Sequence, residues 1–414
     1  LGAISRGVAE RRGEFERAIT LTTGKPIDYS RAEVSRTIAV FALAAEEVKR
    51  FGGNFEPLDF DPLHPGAMGL VERFPIGPIA AIAPFNFPLN LVTHKVAPAL
   101  AAGNTMVVKP PPQCPAAALM LAEVAAGVGV PAGALNVVSA DPPVAERLAI
   151  DERFKMLSFT GSAKVGWALK AKAGKKRVTL EMGGNGALII DDSADLGLAA
   201  ARAARGAFIH AGQVCLSVQR VLVHRAVYRD FVKHFVDETE KLGVGDPMNE
   251  RTIVGPLISR DAADRVMEWI DEAKRAGAGI LTGGKRDASV VWPTVVELTD
   301  AKQHGLRVWC EEVFGPVATV EAVESFDDAI AVANDSPYGL QAGVFTGNLS
   351  NAFAAFREIE AGAVIVGDTG VLRVDTYPFG GVKDSGLGRE GVRWAMESMT
   401  EPRMLVLKLP PRGA

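Results

Sequence analysis

A thiol and a carboxylate that can act together in covalent catalysis stand in two distinctive settings of this sequence. Cys215 ends the segment Gly212-Gln213-Val214-Cys215, and Glu181 precedes the pair Gly183-Gly184. A thiolate is intrinsically nucleophilic, and a carboxylate held near it can take a proton from the thiol or from a water that later attacks a thioester. The two residues therefore suit the two halves of the oxidation of an aldehyde to an acid.

Each of these residues also has a structural interpretation. An isolated cysteine is more often a buried packing residue, as we expect for Cys114 and Cys310. Glu181, next to two glycines, can equally be an acid that caps a helix. The surrounding sequence favours catalysis for both Cys215 and Glu181.

The chain resembles the aldehyde dehydrogenase superfamily. Within that superfamily it most resembles the branch that contains non-phosphorylating glyceraldehyde-3-phosphate and lactaldehyde dehydrogenases. This resemblance rests on residues 382–391 and 399–401. Besides the two motifs above, five further segments resemble family motifs in family order: Pro84 to Asn90, Asn104 to Pro110, Phe159 to Gly166, Glu311 to Pro316 and Pro378 to Gly386.

The order of elements predicts an α/β fold. Short apolar runs at 79–83, 105–109, 135–138 and 156–160 alternate with helical patterns, which is typical of a doubly wound sheet. The resemblance implies a Rossmann-like cofactor domain at 1–53 and 77–182, a second α/β catalytic domain at 183–385, and a small β oligomerisation element at 54–76 and 399–414. The apolar alternation of the tail fits an edge strand, or an ordinary strand within the chain.

The resemblance assigns roles around the thiol. Cys215 attacks the aldehyde, Asn86 donates to the oxygen that becomes negative, and Glu181 is the general base. Lys95 and Glu390 match positions proposed to relay protons, although both can instead be surface ions of little individual weight.

The resemblance also implies NAD or NADP as cofactor. Without a Gly-x-Gly-x-x-Gly fingerprint, the residues alone support a nucleotide site only weakly. Pro112 stands where the family commonly has an acid that repels a 2′-phosphate, so the usual preference for NAD is weakened. The implied cofactor residues are Lys109 at the adenosine ribose, Gly161, Ser162 and Gly166 at the pyrophosphate, and Glu312 and Phe314 at the nicotinamide ribose.

The substrate is the least defined part of the expectation. Phe87 and Val214 are apolar candidates for the substrate pocket, and Val214 replaces the arginine of some relatives that oxidise anionic aldehydes. Arg373 can meet a carboxylate or phosphate from the far wall, or pair with Asp375. His94 replaces a bulky aromatic and predicts a more polar entrance.

Composition narrows the class of partner. A net charge of −4 without a long basic run argues against nucleic acid and anionic membranes, and leaves a small aldehyde as the expected partner. The three dispersed cysteines show no spacing of a metal site or a disulfide framework, which favours a reducing, cytoplasmic location. By resemblance we expect a homodimer or homotetramer, with several tens of residues ahead of Leu1.

Two other functions remain open at this stage. In one, coenzyme A rather than water takes the acyl group, which the retention of Glu181 disfavours. In the other, the chain is a catalytically silent scaffold, which the presence of Cys215, Glu181 and Asn86 disfavours.

Overall fold

The helices largely follow the predicted apolar patterns. The structure is a computed structural model that describes residues 1–408. Ile4, Val8, Phe15 and Ile19 are all buried as their spacing predicts, although Arg11 divides the opening helix in two. Within 1–408, no helix is both long and apolar enough to cross a membrane. The α-helices are α1 (Gly2–Glu10), α2 (Arg12–Thr23), α3 (Ile27–Glu47), α4 (Asn90–Ala101), α5 (Ala116–Gly127), α6 (Pro142–Ile150), α7 (Ala163–Lys172), α8 (Leu196–Phe208), α9 (Tyr228–Glu240), α10 (Arg260–Arg275), α11 (Arg307–Cys310), α12 (Phe326–Asn334), α13 (Leu349–Glu358) and α14 (Val392–Ser398).

The strands form two large sheets and several small ones. In chain order they are β1 (Asn54–Pro57), β2 (Ala67–Pro75), β3 (Ile79–Ile82), β4 (Met106–Lys109), β5 (Leu135–Val137), β6 (Met156–Thr160), β7 (Arg177–Glu181), β8 (Gly186–Ile190), β9 (Val218–His224), β10 (Gly279–Thr282), β11 (Arg286–Asp287), β12 (Val290–Val291), β13 (Thr294–Glu297), β14 (Val317–Val323), β15 (Tyr338–Gly339), β16 (Gln341–Phe345), β17 (Ala363–Val366), β18 (Val382–Lys383), β19 (Gly386–Leu387) and β20 (Thr400–Lys408). Short 3₁₀ segments lie at Ile209–Gly212, Arg225–Val227 and Ala301–Gly305.

The first large sheet has the order β19-β7-β6-β3-β4-β5, with β19 antiparallel to β7 and the other pairs parallel. Its register places Ile82 opposite Lys109 and Thr160 opposite Glu181. The loops that follow β3, β4, β6 and β7 therefore leave from one edge of the sheet, the edge at which open α/β sheets bind ligands.

The second large sheet has the order β10-β13-β14-β9-β8-β16-β17, and only β10 pairs antiparallel. Four residues separate the end of β7 from the start of β8, so the chain passes directly from one sheet to the other. The predicted α/β fold with two separate sheets is confirmed. The proposed boundary at 182/183 remains a prediction, and 386–398, which the predicted division left unassigned, adds β19 and α14 to the first unit.

A three-stranded antiparallel sheet, in the order β1-β2-β20, stands apart from the two large ones. β20 pairs with β2 from Ala67 opposite Lys408 to Pro75 opposite Thr400. The tail strand β20 therefore pairs with β2 on one side. On its other side it is the edge of this sheet, with no partner strand among the described residues. The part of the predicted element at 409–414 lies outside the described residues.

One helix begins earlier than its pattern indicates. The sequence pattern predicts a helix from Val96 to Ala102, ended by Gly103, but α4 begins at Asn90. Every residue from Asn90 to Ala99 is buried, so the first turns of α4 show no polar face. A helix buried on all sides lacks the periodic pattern by which an amphipathic helix is recognised.

Candidate active site

Cys215 follows a tight turn between α8 and β9. His210, Ala211 and Gly212 have φ angles of 51°, 55° and 68°, all in the left-handed region. A Cβ atom on Gly212 would lie 2.0 Å from the carbonyl oxygen of Gly315, so only glycine fits there. The turn places Cys215 shortly before β9 of the second sheet, where it faces the loops of the first sheet.

Two cavities meet at Cys215, which lines both together with Leu91. The larger cavity, of about 390 Å³, lies at the carboxyl ends of β3, β6 and β7; it is lined by Pro84, Phe85, Asn86, Leu91, Thr160, Gly161, Ser162, Glu181, Met182, Gly183, Cys215, Arg265, Glu312 and Phe314. The smaller cavity, of about 240 Å³, is lined by Lys25, Tyr29, Ala32, Glu33, Arg36, Phe87, Asn90, Leu91, Ile209, His210, Val214, Cys215, Leu216, Val371 and Arg373.

The thiol of Cys215 is held in its neutral form. Burial raises its pKa to about 12, the carboxylates of Glu312 and Glu181 add to the rise, and the guanidinium of Arg373 opposes it. Because a thiol with this pKa is protonated at neutral pH, Cys215 needs a base before it can act as a nucleophile.

The carboxyl group of Glu181 lies in the larger cavity, which Cys215 also lines. Its side chain is buried, and neither carboxyl oxygen has a hydrogen-bond partner among the described residues. Burial raises its pKa well above the usual value, and the negative charge of Glu390 raises it further, while Arg373 and Lys95 oppose the rise. The pKa thus moves toward neutrality, where a group can both take and release a proton. The alternative role of Glu181 as a helix cap is not supported, because neither of its oxygens accepts a hydrogen bond from a helix N–H among the described residues.

Lys95 and Glu390 form a buried ion pair next to Glu181. Lys95 Nζ donates to Glu390 Oε1 and to Ser158 Oγ, both at 3.0 Å. Burial would raise the pKa of Glu390, but Lys95 and Arg373 outweigh it and hold the pKa below its usual value. The interpretation of this pair as surface ions is wrong, because both side chains are almost completely buried.

Asn86 lies where β3 leads into α4 and borders the larger cavity. Its Nδ2 donates to the carbonyl oxygen of Gln213 at 3.0 Å, which ties it to the turn that carries Cys215. The amide nitrogen carries two hydrogens, so one N–H remains for an oxygen bound beside the thiol.

Glu312 and two aromatic rings form one wall of the larger cavity. Phe85 and Phe314 pack edge to face with ring centroids 5.8 Å apart, and Phe314 holds a left-handed φ of 46°. Glu312 accepts a hydrogen bond from the Gly184 N–H at 3.1 Å, and burial raises its pKa to about 7. A Cβ on Gly183 would lie 2.1 Å from Glu312 Oε2, so the carboxylate packs directly on the backbone.

The helix that follows β6 presents its N-terminus to the same cavity. Ser162 is the N-cap of α7, its side chain makes no capping hydrogen bond, and Gly161 lines the cavity beside it. Free N–H groups at a helix start favour an anion. Gly166 lies deeper and serves packing, because a Cβ there would be 2.4 Å from Met182 Sδ.

Lys109 ends β4 at the same sheet edge but does not line the larger cavity. Burial lowers its pKa, and the negative charge of Asp141 opposes this effect. Pro112 is exposed on the turn that follows. No motif in the sequence indicates that a carboxylate from the segment after β5 influences Lys109.

Arg373 borders the smaller cavity and stacks on Phe379, with its guanidinium carbon 3.6 Å from the ring centroid. Its Nε lies 3.7 Å from Asp375 and its Nη2 3.6 Å from Glu390, both beyond hydrogen-bond distance. These two nitrogens have no hydrogen-bond partner among the described residues. The side chain is only 8% exposed, so its donors are available only to something bound inside the protein.

His94 does not contribute to a polar entrance, and that expectation is wrong. Its side chain is 1% exposed and does not line either cavity, and its Nε2 lies 3.2 Å from Asp375 Oδ1. Burial lowers its pKa to about 4, and Arg373 lowers it further against the pull of Asp375. The ring packs behind Asp375 because α4 is buried on all sides at this point.

Several cavity residues were not found from the sequence. Phe87 and Val214 line the smaller cavity, and Lys25, Glu33, Arg36 and His210 join them from distant segments. No motif in the sequence marks these four residues, because each lies outside the contiguous motifs that contain Cys215, Glu181 and Asn86.

Comparison with known proteins agrees with this geometry. A model of the aldehyde dehydrogenase family matches residues 1–405. The 3-sulfolactaldehyde dehydrogenase of Priestia aryabhattai is 45% identical over 400 residues, which cover 96% of this chain and 83% of that protein.

Solved structures give the same result. Aldehyde dehydrogenase 21 of Physcomitrella patens, in complex with the reaction product succinate, matches with a TM-score of 0.94 at 41% identity, covering 98% of this chain and 84% of that one. The glyceraldehyde-3-phosphate dehydrogenase GapN of Methanocaldococcus jannaschii, complexed with NADP, matches with a TM-score of 0.94 at 36% identity, covering 99% of this chain and 88% of that one. With the thiol, the buried acid and the amide donor gathered between two α/β sheets, these matches show that the chain belongs to the aldehyde dehydrogenase family.

Proposed function

We propose that the protein oxidises a small anionic aldehyde to the carboxylic acid, through a thioester on Cys215 and with NAD or NADP as the electron acceptor. The observation that carries this proposal is the position of Cys215, the one reactive side chain that lines both cavities. The smaller cavity is the substrate pocket, and the larger one is the site of the cofactor.

The residues of the larger cavity fit a dinucleotide. The free N-terminus of α7 suits a pyrophosphate, Glu312 suits ribose hydroxyls, and the rings of Phe85 and Phe314 suit a flat heterocycle. When bound, the cofactor accepts a hydride from the substrate carbon. Lys109 lies farther along the same edge and is assigned to the adenosine ribose.

The first half of the reaction uses the thiol and the amide. The thiol proton passes to Glu181, the Cys215 sulfur attacks the carbonyl carbon, and a C–S bond forms while the carbonyl oxygen becomes negative. Asn86 Nδ2 donates its free N–H to that oxygen. Loss of hydride from the same carbon restores the carbonyl and leaves a thioester on Cys215.

The second half uses Glu181 again. The carboxylate removes a proton from a water molecule, whose oxygen attacks the thioester carbon; the C–S bond then breaks, and the acid and the thiolate separate. Proton release from Glu181 is assigned to Glu390 and Lys95. The ion pair at 3.0 Å and its position next to Glu181 support this assignment.

The substrate class is proposed from Arg373. Arg373 borders the same cavity as Cys215, and its Nε and Nη2 lack hydrogen-bond partners among the described residues, so its positive charge can attract an anionic group at the far end of a short aldehyde. The 3-sulfolactaldehyde dehydrogenase and the succinate complex among the relatives concern substrates or products that carry such an anion.

The two other functions receive less support. Transfer of the acyl group to coenzyme A does not need a buried carboxyl beside the thiol, yet Glu181 occupies that place. A silent scaffold does not need a strained turn in front of Cys215, because three residues in left-handed conformations do not by themselves stabilise the fold.

Self-association is proposed from the small sheet. Met404, Leu405 and Val406 on β20 are each more than half exposed, and the outer side of this strand is a free edge. Exposed apolar edge strands pair readily with another chain. We therefore assign the sheet β1-β2-β20 to the contact of a homodimer or homotetramer.

Turnover measured by the absorbance of the reduced nicotinamide tests the function. We expect activity with 3-sulfolactaldehyde and succinate semialdehyde, with NAD and NADP tested separately, and loss of at least about 10⁴-fold in Cys215→Ser because the nucleophile is removed. Cys310→Ser is the control and should retain activity. No turnover with any pair, from folded protein that binds the cofactor, would favour the scaffold. Turnover that requires coenzyme A would favour acyl transfer.

The role of Glu181 is tested with Glu181→Gln by rapid mixing. We expect both the first turnover of cofactor reduction and the steady turnover to slow, the steady rate by about 10²–10⁴-fold, because no base takes the proton of the thiol or of the attacking water. The exposed neighbour of Glu312 gives a control, Glu311→Gln, expected to behave as wild type. Unchanged steady turnover in Glu181→Gln would contradict the assignment.

Substrate recognition by Arg373 is tested with Arg373→Met. The ratio of kcat/KM for 3-sulfolactaldehyde to that for lactaldehyde should fall about 10–100-fold, since a hydrogen-bonded charge pair contributes about 1.5–3 kcal/mol. A ratio is used because Arg373 also affects the pKa of Cys215 and Glu181. Arg17→Met, at an exposed position of α2, is the control. An equal loss for both aldehydes would rule out recognition of the anion.

Self-association is tested by light scattering after size exclusion. We expect the wild type to be dimeric or tetrameric, and the double variant Leu405→Lys/Val406→Lys to give a smaller species because the charges repel across the edge. Leu21→Lys, which changes an exposed leucine of α2, should leave the size unchanged. A monomeric wild type at micromolar concentration would refute the assignment.

A further inference from the structure

A buried ion pair from the opening helices reaches the active site and has no role in the reaction proposed above. Lys25 lies in the turn between α2 and α3, and Glu33 lies one and a half turns into α3. Both side chains are completely buried, and Lys25 Nζ donates to Glu33 Oε2. Burying two charges costs free energy even when they pair, so a buried pair of this kind calls for a function.

The second oxygen of Glu33 holds the start of α4. Glu33 Oε1 accepts from the N–H of Leu89 at 2.9 Å and from the N–H of Asn90 at 3.0 Å. N–H groups at the start of a helix have no partner within the helix, and they carry its positive partial charge. α4 has no capping side chain of its own at this end, so Glu33 takes that place from another helix.

The other member of the pair holds the segment just before α4. Lys25 Nζ lies 3.7 Å from the centroid of the Phe87 ring, within the range of a cation–π contact. Phe87 directly follows Asn86. The three residues after Asn86 are therefore fixed from both sides, by the cation at Phe87 and by the carboxylate at Leu89.

This segment needs such support because the amide of Asn86 has only one other anchor. That anchor is the hydrogen bond from Nδ2 to the Gln213 carbonyl oxygen, and Asn86 Oδ1 has no partner among the described residues. A donor to a developing negative charge acts only if it is held at the correct position in advance.

We propose that Lys25 and Glu33 are positioning residues that fix Asn86 for its role as the oxyanion donor. Lys25 also supplies the opposite charge that Glu33 needs in its buried position, through their ion pair. The pair acts through the backbone of 86–90 and takes no part in the bond changes. This inference rests on the function proposed above.

Two double variants separate the positioning contact from the charge. Lys25→Met/Glu33→Met removes the pair and leaves the two N–H groups without an acceptor. Lys25→Met/Glu33→Gln also removes both charges, but its amide oxygen can still accept from those N–H groups. Methionine and glutamine are both good helix formers, so the two variants differ chiefly in this acceptor.

The measurement is the single-turnover rate of cofactor reduction with propanal, which carries no polar group besides the reacting aldehyde. Both variants are made in the wild type and in Asn86→Ala. In the wild type we expect the Met/Met variant to lose about 10–100-fold, as for a small misplacement of a catalytic group, and the Met/Gln variant to lose less than about fivefold. In Asn86→Ala both should change the rate less than about threefold, because the group they position is gone.

Each result decides between the possibilities. Equal factors in both backgrounds would mean a purely structural pair and would overturn the positioning role alone. The same loss in the Met/Met and Met/Gln variants would also overturn it, because the acceptor would then be irrelevant. An Asn86→Ala variant as fast as the wild type would overturn the oxyanion role of Asn86 and the positioning role with it. If Met/Met does not fold, as judged by circular dichroism, Lys25→Met/Glu33→Leu, which also lacks the acceptor, takes its place in the same cycle.

Discussion

The site depends on the short passage of the chain from the first sheet to the second. The four residues between Glu181 and Gly186 pack against both sides of the site, and the two glycines among them leave no space for a side chain. A Cβ on Gly183 would collide with the Glu312 carboxylate, and a Cβ on Gly184 would lie 2.5 Å from the Cys215 carbonyl oxygen. Because this passage is so tightly packed, the acid at its start and the thiol beside it keep a fixed relation.

Burial then sets the chemical state of the groups around this passage. The side chains of Glu181, Glu390, Lys95 and Arg373 are all at least nine-tenths buried, so their mutual charges act at close range with little screening. The result is a division of states between two neighbouring acids: Glu390 is held charged by Lys95 and Arg373, while Glu181 is pushed toward the neutral form. Two carboxyl groups whose pKa values are driven apart in this way are typical of sites that move protons.

Local patterns predicted those parts of the fold whose signal lies within one element. β6 coincides with the predicted segment 156–160 residue for residue, because an apolar run followed directly by Gly161 is a complete signal. α4 was placed late because it is buried on all sides. Cys215, Glu181 and Asn86 could be named because each belongs to a contiguous motif.

The surroundings of several other site residues could not be predicted, since they arise from contacts between distant segments. His94 looks polar in the sequence but is buried behind Asp375, and Lys95 looks like a surface ion but is paired with Glu390, nearly 300 residues later. Lys25 and Glu33 carry no signal that distinguishes them from ordinary helix charges.

The order of strands in the first sheet has a consequence for synthesis of the chain. β19 and α14, which complete the first unit, come from 386–398, whereas the second sheet is contained within 186–366. On the ribosome the second sheet has all its strands before the first does, although it begins later in the sequence. The site is therefore completed last, when Glu390 has been synthesised and can pair with the buried charges around Glu181.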